Sequence, residues 1–248
     1  MPTLSVVIPT MNEEEYLPRL FATIKSQTRF PDEIIIADAG STDTTKRIAE
    51  EFGAMVVKGG LPGPGRNAGA AASTGEILCF LDADVVLIDD HFFENALKEF
   101  AERELDIATA DITLVREDRT KADEFGHIVY NKYVRLLGKI HPHTIGGFML
   151  VRREIHDKIN GFDPSVVFCE DHDYGLRAHK ISNFAYLNSV KIGVTDRRIK
   201  KEGRVKLVLK MVLAEFHIWT IGPIRHNAFK YEFGYKAKEK KESEEKQA

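Results

Sequence analysis

Two carboxylates one residue apart, Asp82 and Asp84, follow the apolar run Ile77-Leu78-Cys79-Phe80-Leu81. At the end of a buried strand, such a pair suits a hard divalent cation that keeps water ligands and shares a substrate's phosphates. An Asp-x-Asp alone also serves as a turn, so its surroundings decide. Two further apolar runs end in polar residues: Leu4 to Ile8 in Pro9-Thr10-Met11-Asn12-Glu13, and Glu33 to Ala37 in Asp38-Ala39-Gly40-Ser41-Thr42-Asp43. Asp38 at a strand end can accept the N–H of a bound base, and both Asp38 and Asp43 can instead cap a turn or the next helix. Gly59 to Gly65 is a glycine-proline stretch that leads to Arg66, where free backbone N–H groups and a guanidinium would suit a diphosphate or a base. Gly63-Pro64-Gly65-Arg66-Asn67-Ala68 also fits the dinucleotide fingerprint G-x-G-x-x-A. That fingerprint belongs in a tight first β–α turn, whereas this stretch is long, proline-interrupted and in the third unit.

These residues need a scaffold that gathers strand ends. The 248 residues, 43% hydrophobic and 29% charged, are enough for a sizeable core. Short β-branched runs alternate with helical patterns over the first 110 residues, which predicts a sheet flanked by helices with ligands beyond its carboxyl edge. Strands are expected at Leu4 to Ile8, Glu33 to Ala37, Met55 to Val57, Ile77 to Leu81, Ile107 to Thr113 and Phe148 to Val151. Helices are expected at Thr44 to Phe52, Arg66 to Ser73, His91 to Glu102 and Asp123 to Leu137, and a first helix carries Leu17, Leu20, Phe21 and Ile24, with Asn12 and Glu15 as a capping box. A net charge of −3 provides no field for a polyanion, so nucleic acid is not an expected partner. Cys79 and Cys169 are too few for a disulfide framework and are expected as buried free thiols of a reducing compartment. The first apolar run is too short for a signal peptide or a membrane span, which predicts a cytoplasmic protein.

In order and spacing, Ser5 to Glu14, Ile35 to Asp43, Gly65 to Gly69 and Phe80 to Asp84 resemble the successive blocks of family 2 glycosyltransferases. Gly146-Gly147, Arg152-Arg153, Asn160 to Asp163, Glu170-Asp171-His172-Asp173 and Leu176-Arg177 resemble the acceptor-side blocks. The resemblance covers roughly residues 3 to 190. It implies a single GT-A domain, a Rossmann-like α/β fold with a mixed central sheet, over residues 1–196. Residues 1–115 would bind a nucleoside-diphosphate sugar and residues 116–196 an acceptor. It also implies inverting, non-processive transfer, since no Gln-x-x-Arg-Trp block follows Asp171. Pro9, Thr10 and Glu13 would line the base and ribose, with Asp38 facing the base and Arg66 beside it. Asp82 would stand near the ribose or a metal-bound water, Asp84 would ligate Mn²⁺ or Mg²⁺, and Asp171 would be the general base. Ala39 and Met11 stand where the family often has an acid and a tyrosine, which leaves UDP- and GDP-linked donors both open. Glu170 can instead form a salt bridge, and Asp173 can cap a helix.

Other readings compete. A nucleotidyltransferase would want a glycine-rich triphosphate loop after strand one, which Pro9-Thr10-Met11-Asn12 is not. A non-catalytic sugar-nucleotide binder would tolerate loss of the carboxylates that are present here. His141 and His143 flank Pro142 in a pattern open to zinc, but with no thiolates and no His-x₃-His helix they are expected as surface loop histidines. Residues 197–234 form a basic loop and a helix: Arg197, Arg198, Lys200 and Lys201 precede Val205 to Ile221. The helix carries Lys206, Lys210 and His217 in one polar stripe. It can lie on an anionic membrane surface, which would favour a lipid-linked acceptor such as a polyprenyl phosphate. It can also pack on the catalytic domain or a second subunit, with the basic loop folded over the donor diphosphate. Residues 235–248 alternate Lys and Glu without an apolar face and are expected to be a disordered tail.

Overall fold

The computed structural model describes residues 2–115, 121–138, 140–195, 197, 202–229 and 233. The expectations for Arg198, Lys200, Lys201 and the tail 235–248 lie outside the described residues. The elements are, in chain order, β1 (Leu4–Thr10), α1 (Leu17–Lys25), β2 (Glu33–Asp38), α2 (Thr45–Phe52), β3 (Met55–Lys58), α3 (Pro62–Ala72), β4 (Ile77–Leu81) and β5 (Val85–Leu87). There follow α4 (Phe92–Glu102), β6 (Ile107–Leu114), α5 (Lys121–Leu137), β7 (Phe148–Arg152), α6 (Arg153–Lys158), α7 (Glu170–His179), β8 (Phe184–Val194) and α8 (Arg204–Thr220).

All eight strands join one sheet in the order β3-β2-β1-β4-β7-β6-β8-β5. The first four run parallel, and β7 enters antiparallel to both β4 and β6, so the expected mixed sheet is present. Strand side chains alternate between faces and so build two cores. Leu4, Val6, Ile8, Ile77, Cys79 and Leu81 pack with the apolar stripes of α1 and α4, while Val7, Leu78 and Phe80 pack with α3, α6 and α7. At Gly69 of α3 a Cβ would stand 2.3 Å from Val7 Cγ1, so glycine is what lets α3 lie close on β1.

Strands β4 and β5 are joined by Asp82-Ala83-Asp84 alone, yet β7, β6 and β8 lie between them in the sheet. In a flat sheet the four strand spacings would separate β4 from β5 by about 19 Å. The chain from Leu81 to Val85 can span at most about 14 Å. The sheet therefore curls, and the Asp-x-Asp turn is a chord across the curl.

Several boundaries differ from expectation. α3 begins at Pro62, so Pro62-Gly63-Pro64-Gly65 is its first turn and Arg66 lies in the second, away from the N-terminus. Proline suits that start because the first helical N–H groups have no intrahelical acceptor. No capping box forms at α1: Pro18 sits in the first turn, Tyr16 is the N-cap, and Asn12, at φ 56°, uses its amide oxygen on Thr42 instead. Asp173 lies inside α7, paired with Arg177 at 2.8 Å. Cys79 is buried but Cys169 is half-buried. β5, β8, α6 and α7 were not expected as elements.

α8 docks through a narrow face, where Met211, Ala214 and Ile218 meet Phe168 and Ile224. Lys210 and His217 from the expected polar stripe lie half-buried on that inward side, with Lys210 on Glu202 at 3.1 Å. Val205, Val208, Leu209, Val212, Leu213 and Phe216 face outward, from 51% to 83% exposed. The helix is thus turned with its apolar side to the surroundings. No helix among the described residues is long and apolar enough to cross a membrane.

Candidate active site

The parallel strands β1, β2 and β4 bring three polar ends to one edge. Asp38, buried at the end of β2, is fully engaged: its carboxylate accepts the N–H groups of Gly40 and Ser41 at 3.0 Å and the Ser41 hydroxyl, with the Lys46 ammonium at 3.3 Å. Thr10 Oγ1 donates to it at 3.4 Å from the end of β1. Burial works to raise the pKa of Asp38, but these donors outweigh it and hold the carboxyl below its ordinary range, so it stays ionised. Pro9 is buried next to Thr10. An open groove of about 460 Å³ lies against Asp38, Lys46, Val57 and Gly59. Asp43 takes the backbone N–H of Thr45 at 3.0 Å at the start of α2, a capping role.

At the end of β4 the charges interlock. Arg66 is 2% exposed; it donates through Nη2 to Asp82 at 2.7 Å and to the Gly146 carbonyl at 3.3 Å, and through Nη1 to Glu170 at 2.8 Å. The Phe162 ring covers the guanidinium at 5.4 Å. Burial opposes its charge, but Asp82, Glu170 and Asp171 overcome that and raise its pKa, holding the guanidinium charged. Glu170 is raised in turn by burial, with Arg66 opposing. Arg66 therefore ties the carboxylate turn of the first half to α7 of the second half, and Glu170 forms the expected salt bridge.

Asp84 has Thr195 Oγ1 at 3.4 Å and the Arg197 guanidinium at 4.0 Å. Arg197 also donates to buried Glu13 at 2.7 Å and lies 4.7 Å over the Tyr16 ring. Burial pushes Glu13 up to about 7 despite Arg197. The sequence marked Arg197 only as part of a basic cluster. Its approach to Glu13 and Asp84 depends on β8, which carries the chain from the far edge of the sheet to the carboxylate turn.

Asp171, in the first turn of α7, is aimed by two backbone donors: Gly146 N–H at 2.7 Å and its neighbour His172 N–H at 3.0 Å. A Cβ at Gly146 would stand 3.1 Å from both Asp171 Oδ2 and Arg66 Nη2, a tight fit that would press both side chains back by a few tenths of an ångström. The structure thus gathers Arg66, Asp82 and Asp171 around Gly146, with Glu13, Asp84 and Arg197 at the adjoining corner and Thr10 and Asp38 along the edge.

His141 and His143 are not surface loop histidines. The His143 side chain is 2% exposed and His141 15%, and both face Glu215 of α8, at 2.8 and 3.9 Å. Burial lowers His141 and His172 below the ordinary imidazole range. Nothing in the sequence pattern around Glu215 signals this contact, because the acid stands in an otherwise apolar helix.

Residues 5–160 match the model of the family described as glycosyl transferase family 2. Among curated proteins, the chain is 34% identical over 111 residues to 4,4'-diaponeurosporenoate glycosyltransferase of Staphylococcus haemolyticus, covering 41% of this chain and 29% of that protein. It is 38% identical over 106 residues to glucosyl-3-phosphoglycerate synthase of Mycolicibacterium smegmatis, covering 38% and 35%. The matched regions thus span about a third of these relatives. Among solved structures, the mannosyltransferase PcManGT from Pyrobaculum calidifontis, in complex with GDP-Man and Mn²⁺, is similar with a TM-score of 0.63 at 19% identity, over 86% of this chain and 64% of that one. S. aureus TarS 1-349 in complex with UDP-GlcNAc gives a TM-score of 0.62 at 20% identity, over 78% and 58%. The structural likeness establishes the GT-A fold, and the matched model covers the strand ends that carry Thr10, Asp38, Arg66, Asp82 and Asp84. On these grounds the chain belongs to glycosyltransferase family 2.

Proposed function

We propose that this chain is an inverting, non-processive glycosyltransferase that moves a sugar from a UDP- or GDP-linked donor to an acceptor hydroxyl or phosphate. The observation that carries the reading is Asp171, a carboxylate oriented by Gly146 and His172 and joined through Gly146 and Arg66 to Asp82. A base so placed takes the proton of an attacking acceptor hydroxyl while the diphosphate leaves from the opposite side of the sugar. PcManGT is described with GDP-Man and Mn²⁺ and TarS with UDP-GlcNAc, which supports a nucleotide-sugar donor of either base. Pro9, Thr10, Glu13 and Asp38 bind base and ribose in this reading. Arg66 holds Asp82 and the acceptor-side helix in register.

Two carboxylates at a strand end are a hard oxygen donor set, which fits Mn²⁺ or Mg²⁺ held by Asp84 with Asp82 beside it. Such an ion supplies neutralisation of the charge that develops on the leaving diphosphate. Arg197, on Glu13 and near Asp84, brings a guanidinium from the basic loop to the same corner, which supports folding of that loop over the donor. In this scheme residues 1–115 are the donor half, residues 116–196 the acceptor half, and residues 197–234 an extension.

The outward apolar side of α8 supports a second element of the proposal, contact with the cytoplasmic face of a membrane and a lipid-linked acceptor. The core reading is tested by thermal shift with UDP, GDP and their sugars, with and without Mn²⁺, followed by assay of sugar transfer and NMR of the product anomer. A metal-dependent shift and an inverted product are expected. A panel in which no nucleoside diphosphate shifts the melting temperature overturns the reading.

A further inference from the structure

The histidine cluster behind the acceptor-side helix is separate from the carboxylate turn, and its chemistry differs. His141, His143 and Glu215 place their ligand atoms within 4.8 Å of one another. His172 Nδ1 lies 3.8 Å from the second oxygen of Glu215, and its ring is 4.5 Å from that of His143. The Nδ1 atoms of His141 and His172 are both buried without a hydrogen-bond partner. Buried polar atoms are rarely left so, and here two of them border the same carboxylate.

The tautomer of His143 sharpens the point. Its Nδ1 faces the His141 carbonyl oxygen at 2.8 Å, and a carbonyl only accepts, so Nδ1 carries the hydrogen. In the neutral ring Nε2 then presents its lone pair to Glu215 Oε1 at 2.8 Å, acceptor against acceptor. Either a proton or a cation must stand between them. A ring that donates its other N–H to a backbone carbonyl is the arrangement that orients a ligating imidazole. Trp219 Nε1 donates to Glu215 at 2.6 Å and stacks on His141 at 4.5 Å, so the carboxylate and one ring are fixed from outside.

We infer that His141, His143, His172 and Glu215 form a binding site for a borderline divalent transition-metal ion of the Zn²⁺ class, which fastens α8 to the acceptor side of the fold. Three imidazoles and one carboxylate favour such an ion over the hard Mn²⁺ or Mg²⁺ suited to Asp82 and Asp84. Tetrahedral bonds of 2.0–2.1 Å set ligand atoms about 3.3 Å apart, against ligand atoms of His141, His143 and Glu215 that lie within 4.8 Å of one another, with His172 Nδ1 at 3.8 Å from the other Glu215 oxygen, so the side chains close on an ion by rotation. The ligands come from the loop before β7, from α7 beside Asp171, and from α8. The ion is therefore a staple between these segments, beside the apolar contact around Ala214 and the stacking of Trp219 on His141.

The test uses the full chain stripped with a chelator, with Zn²⁺ alone followed by calorimetry and Co²⁺ alone by visible absorption. No nucleotide sugar is present, so the outcome is independent of the transferase reading. One tight equivalent of Zn²⁺, the intense visible bands of tetrahedral Co²⁺, and a raised melting temperature are expected. Asp84→Asn should retain all three. Glu215→Gln and, separately, His143→Gln should weaken Zn²⁺ binding by about 100-fold or more. A wild-type chain that takes up no stoichiometric Zn²⁺ overturns the inference and identifies the contact as a protonated histidine on a carboxylate. Binding lost in Asp84→Asn and kept in Glu215→Gln overturns it equally.

Discussion

Replacing Arg66 by methionine isolates the charge that holds the two halves of the site together. Methionine keeps much of the stem that packs under Phe162 but removes both ion pairs, to Glu170 at 2.8 Å and to Asp82 at 2.7 Å, together with the hydrogen bond to the Gly146 carbonyl. Asp82 is 29% exposed in its side chain and can turn to water, so its loss is small. Glu170 is buried and would be left as an uncompensated carboxylate, which typically costs about 3–5 kcal/mol. The remedy open to it is to take up a proton. Its pKa is already raised by burial, against Arg66, and moves further up without the arginine. A group raised in the folded state contributes stability below its unfolded value and loses it as pH rises through the folded value. The deficit of Arg66→Met is therefore smaller at about pH 5 than at about pH 8. Urea unfolding followed by far-ultraviolet circular dichroism at both pH values measures it. The double variant Arg66→Met/Glu170→Gln should regain about 2 kcal/mol near pH 8, because a neutral amide replaces the stranded charge. A deficit below about 1 kcal/mol, or equal deficits at both pH values with additive variants, would show that Glu170 is not the charge Arg66 holds.

Asp84→Asn is expected to leave the fold intact while nucleotide-sugar binding weakens and loses its dependence on Mn²⁺; calorimetry with unchanged metal-dependent affinity would count against it. Asp171→Asn can still accept from Gly146, so donor binding should persist while transfer falls on the order of 10²- to 10⁴-fold; wild-type turnover would remove Asp171 as the base. Glu13, raised to about 7, contributes about 3 kcal/mol that is present below its unfolded value of 4.5 and is lost as pH climbs through about 7. Glu13→Gln should flatten the stability profile in that window, and an unchanged slope contradicts the assignment. The chain should float with anionic liposomes at low salt and lose that behaviour when residues after Gly203 are deleted; absence of flotation refutes the membrane contact.

The parallel half of the fold is legible because short β-branched strands of four to seven residues alternate with helices, and its polar strand ends stand directly after those runs. The elements that escape notice lack that signal. β5 is three residues long, too short for any period. β8 is interrupted at Asn188 and Ser189, where its pairing with β6 shifts register after Ala110, so its apolar alternation breaks in the middle. The start of α3 is hidden because Pro62-Gly63-Pro64-Gly65 has the composition of a loop, although proline is well suited to a first helical turn. Site partners escape for a different reason. Arg66 meets Glu170 104 residues later, Arg197 reaches back 184 residues to Glu13, and His143 meets Glu215 72 residues on. Local patterning carries no record of such pairs, whereas Asp82 and Asp84 are close in sequence and so announce themselves.

The chord formed by Asp82-Ala83-Asp84 bears on how separable the two halves are. Among the described residues β5 pairs with β8 alone, so the far end of the carboxylate turn is held by residues more than a hundred positions downstream. Residues 1–115 taken alone would keep the strand that delivers Asp82 and lose the partner that fixes Asp84. A donor-binding half is thus not a portable cassette: transplanted onto another scaffold, it would need a substitute for β8 to restore the spacing of its two carboxylates. The same constraint makes the turn a gauge of sheet curvature, since an inserted residue would slacken the curl and shift Asp84 without touching any residue of the site.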